Sequence, residues 1–538
     1  MGKNADFMSE NTERTIGKDA QRNNILAAKL VAEVVKTTLG PKGMDKMLVS
    51  PLNEITVTND GVTILSEMQI EHPAAKMMVE IAKTQEKEVG DGTTTSVMIA
   101  GKLLENAEKL LDRKIHPTVI VKGYRIAQRK AHEILDEVSL KIAPDNYEIL
   151  KEIAMTAMTG KGAEEEREKF SEILINAVKI VSEGGKVDTE DIKIEKVVGE
   201  GIKDTELVKG IIIGKEKISN DMPKNILNAK ILLIDFPLEI KSPEIETKIS
   251  ISSHSELQNF LDEEEKSIKN MIQKIVLTGA NVVFCQKGID DFAKYLLSKS
   301  EIYACRRVAK SDMDKISKAT GGRIISNLNE ISAEGMGETE EVEEIKESGE
   351  KMTYLKGCKN PKSITILIHG GTTHVVDEIE RALLDGLLDI ISSLETGLVV
   401  PGGGAIEMEI AKRLRDFGRT LKGREQLAIE EYANSLEFIP VTLAENAGID
   451  PIDVLTELKL KHDMGELNAG LNLFTNKVEN VLNSRILEPS KIKSQAIDSA
   501  TDVATMILRI DDVILSKPSK RGSMNNAGSM PDYMDSLV

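Results

Sequence analysis

The chain of 538 residues has no tryptophan, and aromatic residues make up only 3% of it, so its cores must be built from Ile, Val, Leu, Met and Ala. Cysteine is scarce too. Cys285, Cys305 and Cys358 are an odd number at wide spacing, which excludes a disulfide framework or zinc knuckle and predicts reduced thiols in a cytoplasmic protein. The seven histidines never fall into H-E-x-x-H or C-x-x-C-type spacing, so no transition metal is expected. No run of about 18 or more apolar residues occurs, which excludes a membrane-spanning helix. The opening Met-Gly-Lys-Asn-Ala-Asp lacks the apolar stretch of a secretory signal and the hydroxyl residue of a myristoylation motif. Basic residues are outnumbered, 70 against 88, leaving a net charge of −18. That charge repels phosphate backbones and anionic lipid, so neither nucleic acid nor a membrane is an expected partner.

What is present is the balance of a soluble globular protein, 41% hydrophobic and 29% charged, with length for about three or four domains. Residues 22–39 predict a helix with Leu26, Leu30 and Val34 recurring beside Val31 and Val35, stopped by Gly40-Pro41. Residues 73–88 predict a second helix, opened by Pro73. Residues 93–112 predict a third, with Val97, Ala100, Leu104, Ala107 and Leu111 on one face. The first 150 residues and the stretch 405–515 are expected to be mostly helical. Between them, β-branched runs at 210–213, 229–236, 281–286 and 322–326 alternate with helical stretches, the pattern of an α/β unit. Residues 240–275 are a polar excursion with a helical pattern around Leu257, Phe260, Leu261 and Ile268. The last stretch, rich in Ser, Gly, Asn and Met, is expected to be a disordered tail.

Several glycine-rich segments are candidates for phosphate chemistry. Gly90-Asp91-Gly92-Thr93-Thr94-Thr95-Ser96 opens the 93–112 helix. Free backbone N–H groups and the positive end of the helix dipole collect there, and an acid in the same turn can hold Mg²⁺; a plain N-cap is the alternative. Thr38-Leu39-Gly40-Pro41-Lys42-Gly43 reads equally as a helix stop. Thr58-Asn59-Asp60-Gly61 reads as a hairpin turn or as a carboxylate facing phosphates. Val400-Pro401-Gly402-Gly403-Gly404-Ala405 forms a hinge or lets backbone lie flat against a ligand. Thr159-Gly160-Lys161-Gly162 is an exposed turn or a mobile point charge for a γ-phosphate. The helix from His374 to Ile390 has an apolar stripe, Val376, Ile379, Leu383, Leu387 and Ile390. Its polar stripe is His374, Glu378, Arg381 and Asp385, either a solvated face or a mount for a catalytic carboxylate. No Walker A pattern and no kinase motif set occurs.

Taken in order, TLGPKGMDKML (38–48), TNDGVTIL (58–65), EVGDGTTTS (88–96), MTGKG (158–162), GGTTHVVDEIERALLDG (370–386), VVPGGGAIEMEIA (399–411) and QAIDSATDVATMILRIDDVI (495–514) resemble the group II chaperonins, the archaeal thermosomes and their eukaryotic cytosolic relatives. The likeness runs from about residue 15 to 515. It implies an α+β multidomain fold: a mostly helical equatorial ATPase domain (1–145 and 404–538), a small intermediate domain (146–212 and 367–403), and an α/β apical domain (213–366). A helical protrusion near 241–275 would serve as a built-in lid. It implies ATP and ADP as nucleotides, Mg²⁺ as cofactor, unfolded proteins as clients, and a homo- or hetero-oligomeric double ring with no separate lid co-chaperonin.

Carried over residue by residue, Asp91 resembles the Mg²⁺ ligand and Gly92, Thr93, Thr94, Thr95 and Ser96 the phosphate cradle. Gly40, Pro41 and Gly403 resemble nucleotide contacts. Glu488 resembles the ribose contact, with Lys493 close by. Asp60 and Asp385 resemble the carboxylates that orient the attacking water, and Lys161 the γ-phosphate sensor. Such a set suits phosphoryl transfer, which needs an in-line water, a metal and fixed cations. His369 stands where the family usually has Arg, and the tail SMNNAGSMPDYMDSLV lacks the usual Gly-Gly-Met repeats. A small-molecule kinase would need a second polar site, for which no motif exists. The remaining alternative is a nucleotide-binding ring protein with a structural or holdase role, against which Asp60, Asp91, Lys161 and Asp385 argue together. Apolar residues of the protrusion, Ile249, Ile251, Leu257, Phe260 and Leu261, are candidate client contacts.

Overall fold

The computed structural model describes residues 12–53, 55–182, 186–239, 254–358 and 363–516. The fold is α+β and multidomain, and its hydrophobic cores show how it is divided. The largest core joins the two ends of the chain. Helices Lys18–Lys36, Pro73–Val89, Thr93–Asp112 and Pro117–Val138 pack with Ala405–Thr420, Glu425–Leu436 and Ser490–Leu508. Tyr124 and Tyr432, from opposite ends of the sequence, meet edge-to-face at 5.6 Å inside it. Strand Thr12–Ile16 pairs antiparallel with Asp512–Ser516 and ties the ends together.

Proline at the first helical position starts three of the helices, Pro73–Val89, Pro117–Val138 and Pro451–Asp463. In each, the residue before it (His72, His116 or Asp450) accepts a hydrogen bond from a free N–H of the first turn. The first helix begins and ends earlier than expected, and the face it buries also differs. Ile25, Ala28, Val31, Ala32 and Val35 are inside, while Leu26 and Leu30 are 55% and 58% exposed. The reason is close approach: Ala32 packs onto Gly101 of helix Thr93–Asp112, where even a Cβ would collide. Leucines on that seam would hold the two helices apart.

A second core gathers helices Tyr147–Met158, Arg167–Val181 and Thr373–Thr396 around a three-stranded sheet. In that sheet Ile364–Gly370 lies parallel to Ile192–Val198 and antiparallel to Glu206–Val208. The third unit is built on a seven-stranded sheet. Asn225–Ile234 runs parallel to Val282–Cys285, which is parallel to Tyr303–Cys305. The other half of the sheet is antiparallel: Gly337–Glu347 joins Asn225–Ile234 to Glu350–Cys358, and Gly210–Ile213 closes the edge. The β-branched runs therefore marked the parallel half and the far edge strand Gly210–Ile213, but not the hairpin between them. The antiparallel hairpin escaped notice because GETEEVEEIKE puts charges on its open face and few large apolar residues on the other. Separate cores cover the two faces of this sheet.

Within the excursion expected near 241–275, residues 240–253 lie outside the described residues, and His254–Thr278 is one helix. Ile249 and Ile251, the side chains of Leu257, Phe260 and Leu261, and the tail beyond residue 516 also lie outside the description. The 405–515 stretch is not uniformly helical. A hairpin, Ala469–Asn472 with Lys477–Asn480, interrupts it, as does strand Leu487–Pro489. That last strand pairs with Leu398–Pro401, which pairs in turn with Leu140–Lys141 at the junction of the first two cores. Among the described residues no helix is long and apolar enough to cross a membrane.

Candidate active site

One cavity lies where the first two cores meet, and nearly all the glycine-rich segments converge on it. Gly40, Pro41, Asn59, Asp60, Asp91, the Gly92–Thr95 turn, Lys161, Gly403, Glu488 and Lys493 all line it. Helix Pro73–Val89 closes at Gly90, whose N–H donates to Gln85 and Glu86 carbonyls, and Gly92 in the left-handed conformation starts the next helix. The turn between them thus presents the unpaired N–H groups of a helix start to the cavity. The Gln85 amide donates to the Asp91 and Ile492 carbonyls at 3.0 and 3.3 Å, which fixes the turn from behind. Ser96 is buried; its hydroxyl donates to the Thr93 carbonyl at 2.8 Å and stands behind the lining.

Asn-Asp-Gly forms no hairpin turn. The strand ends at Thr58 and Asp60 caps helix Gly61–Glu67, its Oδ2 accepting from the Thr63 N–H and hydroxyl at 2.8 and 2.7 Å. Its Oδ1, 3.5 Å from the Thr93 hydroxyl, is held on the cavity side.

The groups from the second core arrive through two close contacts. Gly160 packs on Pro41, where a Cβ would stand 2.5 Å from the Pro41 Cα, and its carbonyl accepts from the Asn59 amide at 3.0 Å. Gly90, at φ +84°, is pressed against Leu388, so no larger residue fits between the turn and helix Thr373–Thr396. Lys161 Nζ consequently lies 2.5 Å from Asp385 Oδ2 and 3.9 Å from Asp91 Oδ1. Burial alone would pull the Lys161 ammonium down, but Asp385 and Asp91 reverse that and hold it charged. Burial pushes the Asp385 carboxyl up to about 7, against the pull of Lys161, with the charges of Asp91 and Asp60 adding to the rise. Asp385 touches the cavity through Lys161.

Elsewhere in the lining Lys493 Nζ sits 2.8 Å from Glu407 Oε1 and 2.5 Å from Glu488 Oε2. Glu488 is placed by its strand, across from Val400. Burial raises its carboxyl, Lys493 opposes the rise and Glu407 adds to it. Ile439, Leu443, Leu471, Leu473, Phe474 and Ile492 complete an apolar side. The lining therefore combines charged and polar groups with apolar ones, Leu443 lying against Gly40, Leu471 against Gly403 and Ile492 against Gly92.

A model of the TCP-1/cpn60 chaperonin family matches residues 31–518. The chain is 54% identical to a thermosome subunit of Methanopyrus kandleri over 520 residues, 96% of this chain and 95% of that one. It is 54% identical to the thermosome beta subunit of Archaeoglobus fulgidus over 531 residues, covering 98% and 97%. Against a thermosome subunit of Pyrococcus horikoshii it is 51% identical over 535 residues, covering 98% and 97%. The chain belongs to the TCP-1/cpn60 chaperonin family. It is an ATP-dependent group II chaperonin subunit, and hydrolysis of ATP is its chemistry.

Three parts of this chaperonin's site were not read from the sequence. The apolar wall comes from residues scattered over 439–492, with no local pattern to mark it. Glu407 lies in a helix whose sequence also accommodates it as an ordinary first-turn acid. Asp389 lines the cavity and is 2% exposed, and its Oδ1 has no hydrogen-bond partner. Burial first, then Asp91, pushes its carboxyl well above the usual range. A signal for it existed: the stripe 374, 378, 381, 385 continues by four residues to 389 on the same helix face.

His369 is 4% exposed, with Nδ1 3.3 Å from Glu200 Oε2 in the second core. The change from the usual Arg therefore falls outside the cavity.

Proposed function

We propose that this chaperonin binds ATP and ADP with Mg²⁺ in the cavity between its first two cores and hydrolyses ATP there to drive closure of a protein-folding chamber. The observation that carries the reading is Lys161, which joins Asp385 of one core to Asp91 of the other. The Gly92–Thr95 turn offers backbone N–H groups and hydroxyls to phosphates, beside Gly40, Pro41 and Gly403. Glu488 and Lys493 stand where a ribose would be met, next to the apolar wall.

The donor set suits magnesium. Asp91, Asp385 and Asp389 crowd one ammonium, with Asp60 acting on Asp385 beside it, an excess of hard oxygen ligands. Among the described residues no three metal-binding side chains are arranged to grip an ion unaided. That is the habit of Mg²⁺, which takes one or two carboxylates and completes its shell with phosphate oxygens and water. When bound, the ion would neutralise charge on the β- and γ-phosphates. Asp91 would hold it, Asp60 and Asp385 would orient the attacking water and accept its proton, and Lys161 would sense the γ-phosphate. Asp60 and Asp385 come from different cores, so hydrolysis requires the cores to close on each other.

The three groups of cores support a division into an equatorial domain of 1–145 and 404–538, an intermediate domain of 146–212 and 367–403, and an apical domain of 213–366. The proposed assembly is a cytoplasmic double ring of like subunits, with the excursion at about 241–275 as its lid and unfolded proteins as clients. Large apolar side chains exposed on the third unit, Leu227, Leu277 and Tyr295, support a client-facing role there.

The test is ATP-dependent refolding of a denatured protein by the wild-type chain and by Asp385→Ala, with particle size followed by light scattering. A ring-sized particle is expected, with ATPase and refolding lost and ADP binding kept in the variant. A monomer with full ATPase would refute the ring reading. Refolding by Asp385→Ala without ATPase would favour a holdase instead.

A further inference from the structure

Asp389 is the one carboxylate of the cavity to which the functional reading gives no role. It is 2% exposed and lines the cavity, and its Oδ1 has no hydrogen-bond partner. The nearby ammonium, Lys161, is committed to Asp385 at 2.5 Å, with Asp91 next at 3.9 Å. Among the described residues no ion pair is made by Asp389 itself. A carboxylate taken out of water without a counter-charge is among the costliest groups a protein can bury. Its neighbours Leu387, Ile390 and Ile391 are all buried apolar residues, so an aliphatic side chain would meet the packing needs of this turn.

Its placement is rigid. The Leu388 side chain is wedged against Gly90, which sets this helical turn directly over Gly90-Asp91-Gly92. Of all the charged groups around it, Asp91 acts on Asp389 most strongly. Two carboxylates thus face one cavity from two different cores, and Lys161, the cation that acts on both, sits closest to Asp385.

We propose that Asp389 is a second cation-facing carboxylate of this site, sharing with Asp91 the magnesium ion that accompanies the nucleotide. This rests on the magnesium-nucleotide reading above and deepens it. Asp91 would anchor the ion from the equatorial side. Asp389, fixed on the intermediate helix, would bear on the same ion directly or through its water shell. The ion would then join the two cores as Lys161 does, as a second cation between carboxylates, and a closed subunit would hold it more tightly than an open one.

The test is the magnesium dependence of ADP binding, which needs no turnover. ADP affinity is measured calorimetrically from chelated to saturating Mg²⁺ for the assembled wild type, Asp389→Asn, Asp389→Leu and Asp91→Asn. In both Asp389 variants the half-saturating Mg²⁺ concentration is expected to rise about tenfold or more, the range for loss of a group supporting a metal. Affinity in chelator should stay the same or tighten, because a negative charge has gone. Asparagine keeps the shape and leucine removes the buried charge, so both should fold and assemble. A wild-type magnesium midpoint in both variants would overturn the proposal while leaving the role of Asp91 intact. Loss of assembly in both would mark Asp389 as a structural group and overturn it equally. If ADP binding by the wild type ignores magnesium altogether, the magnesium reading itself fails.

Discussion

Replacing Asp385 by Asn isolates the chemistry from the architecture. The amide is the same size, and its oxygen can still accept from Lys161, whose Nζ lies 2.5 Å from the present carboxylate. Lys161 also keeps Asp91 at 3.9 Å, an attraction of up to about 4 kcal/mol at an effective dielectric constant of about 20, before solvent screening. The ammonium should therefore stay in place, and what disappears is the ability to take a proton from water. A positioned general base contributes about 10²–10⁴ in rate, or about 3–5 kcal/mol of barrier. A loss in kcat of that size is expected, with ADP affinity within about threefold of wild type and the particle intact.

The pH dependence sharpens the test. Burial raises the Asp385 carboxyl to about 7 in the free protein, so its basic form is scarce below that pH and dominant above it. Wild-type kcat/KM, which reports the free enzyme, should fall about tenfold per unit below pH 7 and level off above. The residual rate of Asp385→Asn should be flat across the same interval. Single-turnover hydrolysis of labelled ATP over a pH series reads both quantities. A kcat within threefold of wild type, or the same acid limb in the variant, would refute the assignment of Asp385 as the base.

Lys161→Met should weaken ATP binding about tenfold or more while leaving ADP nearly unchanged, because the γ-phosphate is the only phosphate the proposed sensor meets; equal losses for both nucleotides would contradict that role. Gly90→Ala must strain a backbone at φ +84° and collide with Leu388. It should cost about 1–3 kcal/mol by denaturant titration and depress ATPase by lifting helix Thr373–Thr396 off the phosphate turn. Lys493→Met strips the one cation that, among the described residues, pairs with Glu407, 4% exposed at its side chain, and Glu488. Thermal unfolding should show about 3–5 kcal/mol of destabilisation at neutral pH, partly recovered on acidification as the Glu488 carboxyl, raised by burial, protonates.

Local signals in the sequence were enough for the starts of helices Pro73–Val89 and Thr93–Asp112, the turn between them and most of the segments that line the cavity. Pro73 starts its helix by its own covalent geometry. Gly90-Asp91-Gly92 works through backbone freedom and free N–H groups, which are properties of a few consecutive residues. The β-branched parallel strands were legible for the same reason, since their apolar runs are continuous. The strand pair 337–358 was not, because its burial comes from the partners it meets and its own residues are largely charged.

Only the tertiary structure decided which stripe of the first helix is buried. Periodicity offered the leucines, and the close seam of Ala32 on Gly101 chose the alanines. It also decided that Asp60 caps a helix, that Lys493 is shared by Glu407 and Glu488, and that Asp389 belongs to the cavity at all. These are electrostatic and steric relations between residues far apart in the chain. Their energies depend on distance and burial in space, which a one-dimensional pattern does not encode.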